Sequence, residues 1–125
     1  MITALTSAIL TNPTDIGILF NFCLNSFDSI FKTYDLIIGP TTTCLPYEIG
    51  EFLEDPNRSF VDDVLTIPVN MAGLPGMSLP IGFSSKHLPI GMQIIGNSFE
   101  EARIYKLASF IEKELNLDLT PGGEK

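Results

Sequence analysis

The segment TIPVNMAGLPGMSLPIGF, Thr66 to Phe83, is apolar enough for a core, yet Pro68, Gly73, Pro75, Gly76, Pro80 and Gly82 interrupt it. Proline lacks an N–H and clashes with the preceding helical turn, and glycine weakens the interior of a helix or a strand. No single regular element can run through these residues. The chain must change direction repeatedly while staying covered, which demands short, closely packed pieces. Pro68 predicts a kinked or two-piece helix that starts in FVDDVLT and ends near Gly73, a residue suited to a helix C-terminus. GMSLPIGF (Gly76 to Phe83) and LPIGMQIIG (Leu88 to Gly96) read as strands joined by the turn SSKH, a hairpin that leaves His87 in an exposed turn.

The flanking segments carry clearer periodicities. Phe20, Cys23, Leu24, Phe27, Ile30, Phe31 and Tyr34 recur at helical spacing and predict a core-facing helix. Leu36, Ile37 and Ile38 form a continuous apolar run stopped by Gly39-Pro40, the pattern of a strand covered on both faces in a parallel or mixed sheet. Thr41, Thr42 and Thr43 follow its C-terminal end, where open α/β sheets place ligand crevices; an ordinary turn is the plainer reading. CLPYEIGEFLEDPN (Cys44 to Asn57) reads as a loop, and Ser59 with Asp62 resembles a capping pair. Ser98 and Glu101 predict a capping box at the start of a last helix, with Ile104, Leu107, Ala108, Ile111 and Leu115 on one stripe. The expected order is helix, strand, loop, helix, strand, strand, helix, an α/β class with a mixed β-sheet flanked by helices. A single structural unit is expected over residues 17–118, after an apolar segment of uncertain structure at 1–16 and before a flexible tail at 119–125.

Charge and composition narrow the function classes. Fifteen acids against seven bases give a net charge of −8 over 125 residues, with no basic cluster to meet a phosphate backbone, so direct nucleic-acid binding is disfavoured. Cys23 and Cys44 stand apart from any CxxC pattern, and His87 is the one histidine, so no zinc ligand set exists and free thiols are expected. The first basic residue is Lys32, and Asn12, Pro13 and Asp15 break the apolar start, so neither a leader peptide nor a membrane span is expected; the reading is soluble and cytoplasmic. No phosphate-binding glycine loop and no nucleophile elbow is present. Adjacent carboxylates on a helix point about 100° apart, so neither Asp62/Asp63 nor Glu100/Glu101 forms a ready acid–base dyad. One of Asp62 and Asp63 must nevertheless lie nearer the apolar Val64, Leu65 and Ile67, where a carboxylate can hold an ammonium group.

Three stretches then carry a resemblance: YDLIIGPTT, DDVLTIPVNMAGLPGMSLPIGF and LPIGMQIIGNSFEEARIYKLASFIE. Together they resemble the C-terminal part of amidase-signature enzymes, through a T-x-P-x-N-x-A-G-x-P core, and among these they look most like the A subunits of tRNA-dependent amidotransferases. The resemblance implies a large fold around a mixed sheet, of which this chain matches a portion. It implies glutamine hydrolysis that supplies ammonia for converting Glu-tRNA(Gln) to Gln-tRNA(Gln), a carbon–nitrogen ligase activity in protein biosynthesis. It also implies B and C subunits as partners. ATP and Mg2+ would be used on the B subunit, which would also be the point of contact with tRNA.

The family's serine nucleophile, second serine and lysine base lie in a Gly/Ser-rich signature upstream of the matching region, and no such signature occurs in this sequence. No catalytic residue and no metal ligand is therefore assigned, and the chain alone is expected to be inactive. One substrate contact carries over by motif position: Asp63 matches the carboxylate that binds the α-ammonium of glutamine, with Asp62 as its solvated neighbour. The arginine that would hold the glutamine carboxylate also lies upstream, and Thr43 stands where the family often has proline. A portion of a stand-alone amidase and a non-catalytic binding module are the other two readings. Strands drawn from a larger sheet leave open edges and apolar faces, so the isolated chain is expected to be marginal or prone to aggregate.

Overall fold

In the computed structural model, the described residues are 13–48 and 62–119. The elements follow the expected order: α1 (Pro13–Phe31), β1 (Leu36–Pro40), a 3-10 turn (Asp63–Leu65), α2 (Ile67–Met71), β2 (Gly76–Phe83), β3 (Pro89–Gly96) and α3 (Glu101–Leu115). Ser59, the segment 1–12, part of the loop from Cys44 and most of the expected tail lie outside the described residues.

The three strands form one sheet in the order β1-β3-β2, and both pairings are antiparallel. The α/β class is as expected. The local pairing of β1 differs from the expectation, because among the described strands β1 is an edge and meets no parallel neighbour. A three-residue apolar run signals burial but not direction. Even the burial is partial, since Ile38 is 60% exposed.

Sheet alternation separates two faces. On one face Ile94 and Leu79 meet Ile104 and Ala108 of α3, all four almost without solvent contact, with Leu36, Met77, Met92, Leu107 and Ile111 packed around them. On the other, Ile95 is buried and Val69 of α2 lies over Gly76, where a Cβ would stand 3.6 Å from Val69 Cγ1. The α3 stripe is thus the expected one. The first helix is less buried than its phenylalanines imply. Cys23, Leu24, Phe27 and Phe31 are half-buried, Phe20 is exposed, and no described α1 side chain is fully buried. Phe27 and Phe31 stack one turn apart, with ring centroids 6.4 Å apart.

The punctuation of Thr66–Phe83 resolves into three devices. Pro68 occupies the first turn of α2, where its missing N–H has no intrahelical partner to lose. Gly73, at φ +63°, ends α2 in a paired C-terminal motif: its N–H donates to Asn70 O and that of Leu74 donates to Val69 O. Pro80 pairs with Gly91 and Gly82 with Ile90, so Ile81 is the extra residue of a β-bulge. The hairpin closes through Ser84, whose N–H donates to Leu88 O and whose hydroxyl accepts the N–H groups of Lys86 and Leu88. His87 is exposed in this turn with φ +57°.

The predicted capping box does not form. Asn97 to Glu100 make a turn closed by the Glu100 N–H on Asn97 O, with Phe99 left-handed at φ +64°. That turn moves the start of α3 to Glu101 and leaves Ser98 outside the capping position, its N–H taken by Asn97 Oδ1. At the other end Asn116 adopts a left-handed conformation and its N–H caps Glu112 O.

Candidate functional site

The loop after β1 and the turn before α2 meet near the β1 end of the sheet. The three consecutive threonines each have a defined task there. Thr41 Oγ1 lies 2.7 Å from Ser78 Oγ, the Thr42 hydroxyl donates to Cys44 O at 2.8 Å, and the Thr43 hydroxyl donates to Asp62 Oδ1 at 3.2 Å. Their side chains shape the loop.

Asp62 is the focus of the loop's polar contacts. Besides Thr43, its carboxylate accepts from the Tyr47 hydroxyl, and Cys44 Sγ lies 3.0 Å from Asp62 Oδ1 and 3.0 Å from the Tyr47 oxygen. The expectation of a solvated Asp62 is corrected: Asp62 is half-buried, while Asp63 is exposed. Asp62 immediately precedes the 3-10 turn and Asp63 is its first residue, and with Asp62 in helical backbone geometry successive side chains point about 100–120° apart, so one aspartate faces the loop and the next turns away from it. Asp63 is exposed, and among the described residues its carboxylate has no hydrogen-bond or ion-pair partner. Its backbone is not free: Asp63 O accepts the Thr66 N–H at 3.0 Å and the Thr66 hydroxyl at 3.2 Å.

A second connection was not anticipated from the sequence. Gln93, in the middle strand, donates its side-chain amide to Pro40 O at 3.0 Å and to Leu65 O at 3.1 Å. It ties the last residue of β1 to the last residue of the turn that carries Asp63. The one signal for it was a lone amide in an otherwise apolar strand, GMQIIG.

Among the described residues no three His, Cys, Asp or Glu side chains gather to hold a metal, and no helix is long and apolar enough to cross a membrane. Cys23 and Cys44 are not bonded to each other. The arrangement presents one open carboxylate on a turn fixed at two points. An exposed carboxylate is complementary in charge to a cationic group.

The comparisons with known proteins agree with one another. The profile of the family described as Amidase matches residues 22–105. The chain is 51% identical over 89 residues to the A subunit of the glutamyl-tRNA(Gln) amidotransferase of Oceanobacillus iheyensis, a match covering 71% of this chain and 18% of that protein. The crystal structure of the corresponding A subunit of Thermotoga maritima superimposes with a TM-score of 0.72 at 35% identity, over 80% of this chain and 22% of that one. The structure of a 6-aminohexanoate cyclic dimer hydrolase gives a TM-score of 0.67 at 28% identity, over 79% of this chain and 23% of that one. The match therefore spans about a fifth of the length of these relatives, and with two-thirds of its residues inside the family's profile, the chain belongs to the amidase-signature family.

Proposed function

We propose that the chain forms the C-terminal wall of a glutamine site in the A subunit of a tRNA-dependent amidotransferase, with Asp63 binding the α-ammonium of glutamine. The observation that carries this reading is the open Asp63 carboxylate on a turn braced against the loop after β1. The 51% identity to the Oceanobacillus iheyensis protein supports the subtype. In this reading the nucleophile and base come from residues outside the 125 of this chain. The assembled enzyme would be cytoplasmic, with B and C subunits as partners and ATP and Mg2+ on the B subunit. Asp63 does no proton transfer. It orients glutamine by holding its ammonium, so that the side-chain amide reaches the nucleophile.

The test replaces the matching 89 residues of the Oceanobacillus iheyensis protein by those of this chain and assembles the chimaera with its partner subunits. A charge-assisted hydrogen bond is worth about 1.5–3 kcal/mol, so Asp63→Asn should raise KM for glutamine by about ten- to a hundredfold with a smaller change in kcat. An unchanged KM removes Asp63 from the site. The likeness to a cyclic dimer hydrolase favours a second reading, an amidase for a substrate without a free ammonium. In that case Asp63→Asn leaves turnover of the amide unchanged.

A further inference from the structure

We infer that Gln93 is a positioning residue that sets the place of Asp63, an inference that rests on the glutamine reading above. Among the described residues the Asp63 carboxylate has no hydrogen-bond or ion-pair partner, so its place is set by the turn that carries it, where Asp63 O accepts the Thr66 N–H and hydroxyl. The chain is held on both sides of Asp63. One residue before it, Asp62 is bound by Thr43, Cys44 and Tyr47 of the loop after β1. Two residues after it, Leu65 gives its carbonyl to Gln93.

The Gln93 clamp has the better geometry for the task. It stands on β3, paired with β1 and β2 on its two sides, whereas the Asp62 partners sit on a loop. Its cross-strand neighbours are Gly39 and Ser78, both small, which leaves room for a long side chain to cross the sheet face. Both amide protons are committed, one to β1 and one to the turn, so a single planar group fixes the separation of the two segments that border the site. Asparagine is one methylene shorter, and glutamate at neutral pH would set a carboxylate against two carbonyl oxygens. Methionine matches the length but carries no donor.

The test is a double-mutant cycle in the assembled chimaeric enzyme, read as KM and kcat for glutamine hydrolysis and as glutamine Kd by calorimetry. Gln93→Met should raise KM and Kd by about tenfold and change kcat by less than about threefold, a loss of the size of one or two net hydrogen bonds. In an Asp63→Asn background the same substitution should add less than about twofold, because the group it positions is already disabled. An equal loss in both backgrounds, including a global loss of folding, would show that Gln93 acts independently of Asp63 and overturn the inference. So would an unchanged KM and Kd in the single variant. If Asp63→Asn alone leaves KM and Kd unchanged, the glutamine reading fails first, and that outcome is visible before Gln93 is touched.

Discussion

Thr41 and Ser78 flank β3 from opposite sides, and their hydroxyls meet 2.7 Å apart across it. They can do so because the β3 residue between them is Gly91, whose carbonyl accepts the Thr41 N–H. A Cβ on Gly91 would stand 3.0 Å from Thr41 Oγ1, 3.3 Å from Thr41 Cβ and 3.4 Å from Ser78 Oγ. Gly91→Ala should therefore destabilise by about 1–3 kcal/mol, the usual range for overpacking. Urea unfolding of the dilute chain checks this as a lowered midpoint at constant slope. Because the tightest contact is Thr41 Oγ1, adding Thr41→Ala should recover part of the loss. Strict additivity of the two substitutions would show that the clash is relieved elsewhere.

The ion pair between Arg103 and Asp35 joins the start of α3 to the residue before β1, and Glu100 Oε1 lies 3.6 Å from Arg103 Nε. It invites an assignment as a structural tie. Its exposure argues otherwise, with the Arg103 side chain 50% and that of Asp35 80% accessible. Exposed pairs typically contribute about 0.2–1 kcal/mol, because water competes and two side chains must be ordered. Asp35→Asn should thus move the unfolding midpoint by no more than about 1 kcal/mol equivalent, and the difference should vanish near 1 M salt, where the screening length is about 3 Å. A larger, salt-resistant loss would show that the pair orders the entry to β1.

Particular residues explain what the sequence made legible and what it hid. Pro68 and Gly73 act through backbone rules that hold in any context, so the broken helix and its tight exit could be read directly, whereas the bulge at Ile81 was not read from Pro80 and Gly82. The α3 stripe was equally readable, because its period exposes one consistent face to the sheet. The capping box failed for a local backbone reason: the Asn97–Glu100 turn with left-handed Phe99 displaces the helix start, and the residues themselves do not announce it. Asp62 and Asp63 were ordered wrongly with respect to solvent. Their burial depends on which way a 3-10 turn faces, and a 3-10 turn and an α-turn share the same sequence signals. Gln93 acts across 53 positions to Pro40 and 28 to Leu65, a reach that no local pattern encodes.

Exposed apolar side chains on α1 should govern the behaviour of the chain in solution. Ile18 is 64% and Phe22 50% exposed one helical turn apart, and Phe20, 44% exposed, lies on another side of the helix. Soluble monomers rarely leave large contiguous apolar patches in water. The chain should bind a hydrophobic dye and scatter light increasingly with concentration. Ile18→Glu with Phe22→Lys places opposite charges one helical turn apart, an arrangement that supports the helix by about 0.2–0.5 kcal/mol while removing two apolar side chains from the surface. The double variant should keep its helical circular dichroism, bind less dye and stay monomeric at higher concentration. Self-association of the isolated chain that is indifferent to both substitutions would place the sticky surface elsewhere, with the side of β1 that meets no other described strand as the next region to alter.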